Sequence, residues 1–434
     1  MNAERRADPI ASWAEATAQD AGRLTVLGMS PRFRAAPASA EDLAACLRAA
    51  SAERLAVCPI GSGSKLDMGN RPNRYDLALE TTKLSGILEY RPDDLVAVAL
   101  AGTRLANAQA LFAEHGQWLA LDPPHAATAT LGGTMAANAS GPHRLRYGTA
   151  KDLVLGMQVA YADGTLARSG AKVVKSVAGY DMHKMHVGAL GSLGVIVETA
   201  LRLHPLPAEL RVAACRPPAG VSAWPAMAAM VRDLLRLPLG LGGLEVLNGA
   251  AVRRLGMDLP EGDLLLVLCE GHPRVVGRQI AEVRRAAGES GLLVEDVGAG
   301  DQAKLLGAAL AEVCAPRTGD ETVFKLTIPL GDTLAALSEL EAALPGAMLA
   351  AHAGSGVVHA MCTVPAVELP AITAALRSRA GARQGHLVIQ HRPVEAGDGL
   401  DVWGPVSAPR LVRGLKQALD PGAMLNPGRF VEGL

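Results

Sequence analysis

Apolar positions along this chain alternate between two periods, and the changes of period outline the fold. Residues 55–60, 75–81 and 95–101 are short, nearly continuous apolar runs, the pattern of strands buried on both faces. Between the first strand and the chain start, Leu43, Cys46 and Leu47 recur at helical spacing behind Ser39-Ala40-Glu41-Asp42, where a serine followed by acidic residues suits a helix start. Residues 105–115 read as a helix and 117–121 as a strand ending at Pro123-Pro124. Residues 153–161 and 166–169 flank Ala162-Asp163-Gly164-Thr165, a hairpin signal. A short helix toward Gly191 follows, and then strands over 193–197 and 199–204. Prolines at 205, 207, 217 and 218 close this unit.

Between about 210 and 390 the pattern changes. Strand-like runs (264–269, 323–328, 348–353, 357–364, 387–389) alternate with helical ones (224–237, 274–287, 333–344), which predicts an antiparallel sheet backed by helices. Residues 411–419 read as a last helix, stopped at Asp420-Pro421. The predicted fold class is α+β. Its parts are an N-terminal extension (1–33), a first domain of two subdomains (34–210), a cap domain (211–400) and a C-terminal segment (401–434) returning to the first domain.

Composition narrows the function classes. The 42 basic and 43 acidic side chains nearly cancel, leaving no electrostatic footprint for nucleic acid or an anionic membrane. The groups Arg144/Arg146/Lys151 and Lys172/Lys175 read as solvated basic faces, with contact to a partner as the alternative for either. Aromatics are only 3%, so the core is built mainly of Leu, Val and Ala. The six cysteines are scattered with no C-x-x-C pair, which excludes ordinary iron–sulfur and zinc-ribbon spacings and suits a reducing compartment. No charge-free run reaches the about 20 residues of a membrane span, and the amino terminus lacks a secretory apolar core. The expected location is the cytoplasm, with any approach to the inner face of a membrane made through partners.

Two glycine-punctuated stretches carry the candidate chemistry. The first is Cys58-Pro59-Ile60-Gly61-Ser62-Gly63-Ser64-Lys65. The second starts at Asp122-Pro123-Pro124 and runs through Thr130-Leu131-Gly132-Gly133, Ala136 and Asn138-Ala139-Ser140-Gly141 to Gly148. Glycines let consecutive N–H groups converge on an anion, and neighbouring hydroxyls add donors. The first loop is neither a Walker A motif nor G-x-G-x-x-G, and alone it also fits a tight turn. Together the two loops point to a large dinucleotide held by two subdomains.

The order of these motifs resembles the FAD-binding domain of the p-cresol methylhydroxylase/vanillyl-alcohol oxidase (PCMH-type) flavoprotein superfamily. Pro-Ile-Gly-Ser-Gly-Ser resembles its pyrophosphate loop, and Leu131-Gly132-Gly133, Gly148 and Asp152 its second loop. The likeness continues through Ala178-Gly179-Tyr180-Asp181, Gly191, Gly194-Val195-Ile196 and the tail Leu425-Asn426-Pro427-Gly428-Arg429. Within the superfamily the chain most resembles the FAD-binding subunits E of bacterial glycolate oxidases. The residues that carry this likeness are Asp122-Pro123-Pro124-His125, Ser140-Gly141-Pro142-His143-Arg144-Leu145, the run from Lys172 to Asp181, and Asp401-Val402-Trp403-Gly404-Pro405. The resemblance implies FAD, a 2-hydroxy acid substrate, and a complex with a second flavoprotein subunit and an iron–sulfur subunit. Some superfamily members attach FAD through a histidine in the first loop. That loop has none here, so noncovalent FAD is expected.

A second constellation lies in the cap domain. Strands over 347–353 and 357–364 around a Ser355-Gly356 turn would set His352 directly opposite His359, with Cβ atoms roughly 4.5–5.5 Å apart. Such a pair can share a divalent metal such as zinc or manganese, contact substrate without one, or serve only the fold. The spacing resembles the metal motif of FAD-dependent D-2-hydroxyacid dehydrogenases. Ser355 and Val357 replace that motif's polar residues, however, and the later Glu-His-Gly motif has no counterpart; His391, Glu395 and Asp398 do not fit it. Lys325 matches a strand lysine that contacts substrate carboxylate in those enzymes, though it also reads as an outward-facing lysine. The partner arginine is missing, and Arg317 is the candidate substitute. The expected activity is FAD-dependent oxidation of a small 2-hydroxy acid. The competing readings are a flavin-bearing electron-transfer or assembly subunit and an oxidase of sugars or lactones.

Overall fold

The computed structural model describes residues 14–15, 22–172, 180–397 and 399–434. Most of the N-terminal extension, the motif residues 173–179 and Asp398 lie outside the described residues.

The first domain begins with the helix start that its sequence announces. Ser39 Oγ accepts the Asp42 N–H at 3.0 Å and caps α1 (Ala40–Ala52), which buries Leu43, Cys46, Leu47 and Ala50. α1 packs on a small sheet formed by β1 (Ala14–Glu15), β2 (Phe33–Ala35), β3 (Val57–Ile60) and β4 (Leu77–Glu80), in the order β1-β2-β4-β3. β2, β4 and β3 run parallel, and the mostly apolar β3 and β4 follow from burial on both faces; buried Glu80 at the end of β4 is paired with Arg23 and Arg34.

The second subdomain is a five-stranded antiparallel sheet. Its strands are β5 (Ile87–Arg91), β6 (Val96–Leu100), β8 (Val154–Ala160), β9 (Leu166–Gly170) and β10 (Val195–Arg202), ordered β5-β6-β10-β8-β9. α2 (Leu105–Ala113) and α3 (Leu131–Ala136) bury their apolar faces against it. The strand expected over 117–121 pairs only at β7 (Gln117–Trp118), with β11 (His204–Pro205), because the Leu119 N–H is taken by Gln109 Oε1 at 2.9 Å. The two strands expected over 193–204 are one strand, β10, with an irregularity between Ile196 and Glu198. The helix expected before Gly191 is a single 3₁₀ turn, Met182–Met185.

The second domain is an eight-stranded antiparallel sheet. In chain order its strands are β12 (Glu209–Arg216), β13 (Gly243–Leu247), β14 (Leu264–Gly271), β15 (Leu293–Ala299), β16 (Glu321–Thr327), β17 (Met348–His352), β18 (Val357–Thr363) and β19 (His386–His391). In space they run β15-β12-β14-β13-β17-β18-β16-β19. One face is covered by helices over Ala223–Arg236, Pro273–Glu289, Thr333–Ala343 and Leu369–Ala382, and forms the largest core. The helix Asp301–Glu312 covers part of the other face, which elsewhere looks toward the first domain. Strands β12, β13 and β15 were not visible as sequence runs. β15 is an edge strand with mostly exposed residues, tied to β12 by Arg211–Asp296 (2.6 Å) and Arg216–Glu295 (3.0 Å) rather than by apolar pattern.

The C-terminal segment packs back on the first domain. Lys416, buried on the helix Pro409–Leu419, donates to Ser192 O, Asp420 Oδ2 and Leu425 O at 2.7–2.8 Å. The chain then bridges β3, with Val57 N–H on Met424 O and Asn426 N–H on Val57 O. Trp403 of the Asp401–Pro405 motif is fastened to the same segment through Nε1 on Arg429 O.

Candidate active site

Two adjoining cavities meet at Ser64, Lys65 and Ala137. The smaller, about 480 Å³ of open space, is walled by Pro59, Ile60, Gly61, Ser62, Gly63 and Ser64 on one side and by Thr130, Gly133 and Ala136 on the other. Close approach of the two loops demands glycine: a Cβ on Gly61 would stand 2.2 Å from Thr130 Oγ1. Thr130 Oγ1 itself accepts the Gly133 N–H at 3.2 Å and caps α3. Among the described residues, the N–H groups of residues 61–65 donate to no carbonyl or side chain. Among the described residues no carboxylate lines this cavity, and Arg429 is part of its wall. Unpaired backbone donors, hydroxyls and an arginine around a narrow slot fit a pyrophosphate.

The larger cavity encloses about 890 Å³ and lies between the domains. Asn138, Ala139, Ser140, Gly141 and Arg144 form the first-domain wall; Lys325, His352, His359, Gln390 and His391 project from the sheet opposite. The other residues named from sequence for the cofactor line neither cavity. Leu131 is core, Gly132 packs on Ala101, and Gly148 lies against the Asp152 carboxylate, which caps the turn at Thr149. Gly191 packs on Pro59, Gly194 lies against Val159 and Tyr161, Val195 and Ile196 are buried in β10, and Pro123 is buried beside the lining residue Pro124.

The histidine pair is close but not opposite. β17 and β18 pair Ala350 with His359 and His352 with Val357, so residues 353–356 form the connection instead of a two-residue turn. The register differs from the expected one by two residues. A strand's side chains alternate with period two, so both imidazoles still share a face, now as diagonal neighbours. Their ring centroids are 5.5 Å apart at 83°. His352 Nδ1 contacts Glu245 Oε2 at 2.7 Å. Among the described residues no three His, Cys, Asp or Glu side chains converge as a metal ion requires. The pair therefore lacks the third ligand that the metal reading needed.

Lys325 lies directly opposite His359 across the β16–β18 ladder. Burial, with Arg144 nearby, pushes its pKa down to about 8. Burial and the surrounding His352, Lys325 and Arg144 hold His359 well below its ordinary value, so its imidazole is neutral; its Nδ1 is buried without a hydrogen-bond partner. Arg317 does not reach this cleft. It is exposed, and its guanidinium donates to the Arg254 carbonyl at 2.7 Å while its N–H meets Glu321. The arginine in the cleft is Arg144, which the sequence had placed on a solvated face. Its signal was its place beside Ser140-Gly141, in the motif carrying the resemblance. Glu245 was also missed, because its five-residue strand β13 does not stand out as a strand in the sequence.

The wall bearing Arg144 is anchored across the domain interface. His143 Nδ1 lies 2.7 Å from Asp122 Oδ2 and its Nε2 3.3 Å from Glu270 Oε2 on β14. Asp122 also accepts the N–H groups of Gly141 and His143 at 3.1 Å. Arg146 donates to Glu270 O at 2.8 Å. On the opposite side His391 Nδ1 meets Glu321 O at 2.7 Å. Burial opposes its protonation, but the contacts to Asp67 and Glu321 raise its pKa overall.

Comparison with known proteins now decides the cofactor. Residues 31–170 match the family described as FAD binding domain. The fold superposes on p-cresol methylhydroxylase with substrate bound at a TM-score of 0.77, 14% identity, covering 97% of this chain and 94% of that one. Residues 31–170 carry an FAD binding domain, in a chain with the fold of p-cresol methylhydroxylase. Glycolate oxidase subunit GlcD of Bacillus subtilis is 25% identical over 91% of this chain and 88% of its own length. Glycolate oxidase subunit GlcE of Escherichia coli is 37% identical, over 34% of this chain and 42% of its length. The cofactor of this flavoprotein is FAD, and the protein is an FAD-linked oxidoreductase. Among the described residues no helix is long and apolar enough to cross a membrane.

Proposed function

We propose that this flavoprotein oxidises a small 2-hydroxy acid of the glycolate or D-lactate type, as the flavin-bearing subunit of a glycolate oxidase-like complex. The observation that carries this reading is one cleft, continuous with the glycine slot, that combines Lys325 and Arg144 with the neutral imidazole of His359. Two cations neutralise a substrate carboxylate that would otherwise be costly to bury. A neutral imidazole beside them can accept the substrate's hydroxyl proton, and a carboxylate bound to the cations would relieve the repulsion that depresses its basicity. His352 stands ready as its neighbour. Bound FAD, held by the 59–64 loop, Thr130, Gly133, Asn138 and Ser140, would supply the acceptor for the two electrons. The first loop holds no histidine, so FAD is held noncovalently, and acid or denaturant should release it completely. The scattered cysteines leave no place for an iron–sulfur cluster, in keeping with electrons leaving through a second flavoprotein and an iron–sulfur subunit in the cytoplasm.

The test is an anaerobic absorbance titration with glycolate, D-lactate and D-2-hydroxyglutarate. Bleaching near the flavin band by one of them is the expected result. A yellow protein that stays oxidised with all three would instead identify an electron-transfer or assembly subunit.

A further inference from the structure

The polar side chains of the second domain form a row. Glu245, His352, His359 and Lys325 lie on one face of four adjacent strands, β13, β17, β18 and β16. Glu245 faces His352 directly, Lys325 faces His359 directly, and the two imidazoles are diagonal neighbours. Lys325, His352 and His359 line the cleft; Glu245 lies behind them. It is 3% exposed, and every other residue of β13 is apolar and buried. A carboxyl group in such a strand is costly unless a partner compensates it. Glu245 has one hydrogen-bonding partner: Oε2 contacts His352 Nδ1 at 2.7 Å, while Oε1 is buried with none among the described residues.

From this arrangement we infer that Glu245 is a positioning residue, holding His352 as the Nδ1–H tautomer so that Nε2 is free to accept a proton in the cleft. The inference rests on the 2-hydroxy acid reading for its purpose, though not for its geometry. The tautomer of an imidazole is set by the hydrogen bond at its other nitrogen. A carboxylate can only accept, so it fixes the proton on Nδ1. A protonated Glu245 would do the reverse, donating to Nδ1 and placing the ring proton on Nε2. Burial, with the Asp122 charge nearby, pushes the Glu245 pKa up, and the contact with His352 opposes that rise. The ionised form therefore depends on the positive charge around the pair. Lys325 and Arg144 stand in the same cleft, and Glu245 is the one acid of the row. An ionised Glu245 joins Asp122 and Asp152 in offsetting that positive charge, whereas a neutral one leaves the offset to those two alone. His352 and His359 then divide the work: His359 is squeezed between cations, and His352 is backed by an anion.

The test uses the FAD-loaded full chain. Long-range ¹⁵N–¹H spectra of the histidine rings, with His352 assigned by loss of its signals in His352→Gln, should show His352 protonated at Nδ1 and bare at Nε2. A wild-type His352 protonated at Nε2 overturns the inference irrespective of activity. Anaerobic stopped-flow reduction supplies the second reading. Glu245→Leu, which replaces the buried acid by an apolar side chain of similar size, should slow flavin reduction on the order of 10²-fold. Substrate dissociation constant and FAD content should stay within about threefold, a split that a general loss of structure would not produce. Glu245→Asp should restore most of the rate. Wild type that bleaches, with Glu245→Leu bleaching equally fast, sinks the Glu245 role and leaves the functional reading intact. Wild type that bleaches with no hydroxy acid sinks the functional reading, and the ring spectra still decide the tautomer.

Discussion

His143→Gln is the perturbation whose consequence the structure lets one work furthest. His143 is 8% exposed and bridges two carboxylates from different domains, Asp122 at 2.7 Å and Glu270 at 3.3 Å. The Glu270 side chain has no exposure at all, and the imidazole packs edge-on to Trp118 at 5.1 Å. Burial alone would drive the proton off; Asp122 first and then Glu270 outweigh it and lift the pKa from 6.5 to about 10. A shift of that size is worth on the order of 5 kcal/mol of stability. Its sign is fixed by linkage. The folded-state value is raised, so the contribution is whole below pH 6.5 and is lost as pH rises to about 10, at roughly 1.4 kcal/mol per pH unit. Glutamine keeps the volume and a donor but no charge, leaving Asp122 without its cation and Glu270 with Arg146 as its cation, at 3.3 Å. Removing one partner of a buried pair costs about 3–5 kcal/mol, which matches the linkage value at pH 6. Urea unfolding of both proteins from pH 6 to 10 should show a stability gap that closes steadily toward pH 10. Lys65 and Lys325 also titrate in this range, but they are common to both chains and cancel in the difference. Two parallel stability curves would refute the assignment of a charged His143.

Further outcomes test the cleft itself. Arg144→Gln should raise KM for a 2-hydroxy acid about 10- to 100-fold, the value of a hydrogen bond to a charged group, whereas Arg317→Gln should change it less than about twofold; the opposite order would restore Arg317 to the site. Lys325 loses its proton near pH 8, so kcat/KM should fall above that pH while kcat, reporting the substrate-bound form, holds to higher pH. Lys325→Arg should remove that fall, and its persistence would pass the titration to Lys65, which is also lowered to about 8. Gly61→Ala puts a Cβ 2.2 Å from Thr130 Oγ1 and should weaken FAD binding at least about tenfold, measured by flavin fluorescence; normal FAD content would show that the two loops need not meet so closely.

Local rules were enough for the features whose cause is local. Ser39 caps α1 because a serine before an acidic first turn satisfies a free N–H, and the apolar runs at β3, β4 and β6 form strands because both of their faces are buried. The glycine loops were legible for the same reason: backbone that must approach Thr130 or a phosphate tolerates no Cβ. Period-two alternation also explains why His352 and His359 meet despite a mistaken register. A two-residue slip changes which atoms are opposite but not which face they occupy.

What the sequence left undecided depends on partners far apart along the chain. In one dimension Arg317 is the candidate cation and Arg144 reads as part of a solvated basic face. Only the packing of the Gly141–Arg144 wall on Asp122 and Glu270 turns Arg144 into the cleft, while Arg317 is drawn to the Arg254 carbonyl and Glu321. Glu245 is a single acid in an apolar strand until β13 is laid beside β17, and β15 is a strand only because β12 offers its edge and its arginines. Secondary structure and the cofactor loops are short-range consequences of side-chain size and backbone freedom. The charges that would handle substrate are positioned by strand register and by contact between two domains, and that information exists only once the chain has closed on itself.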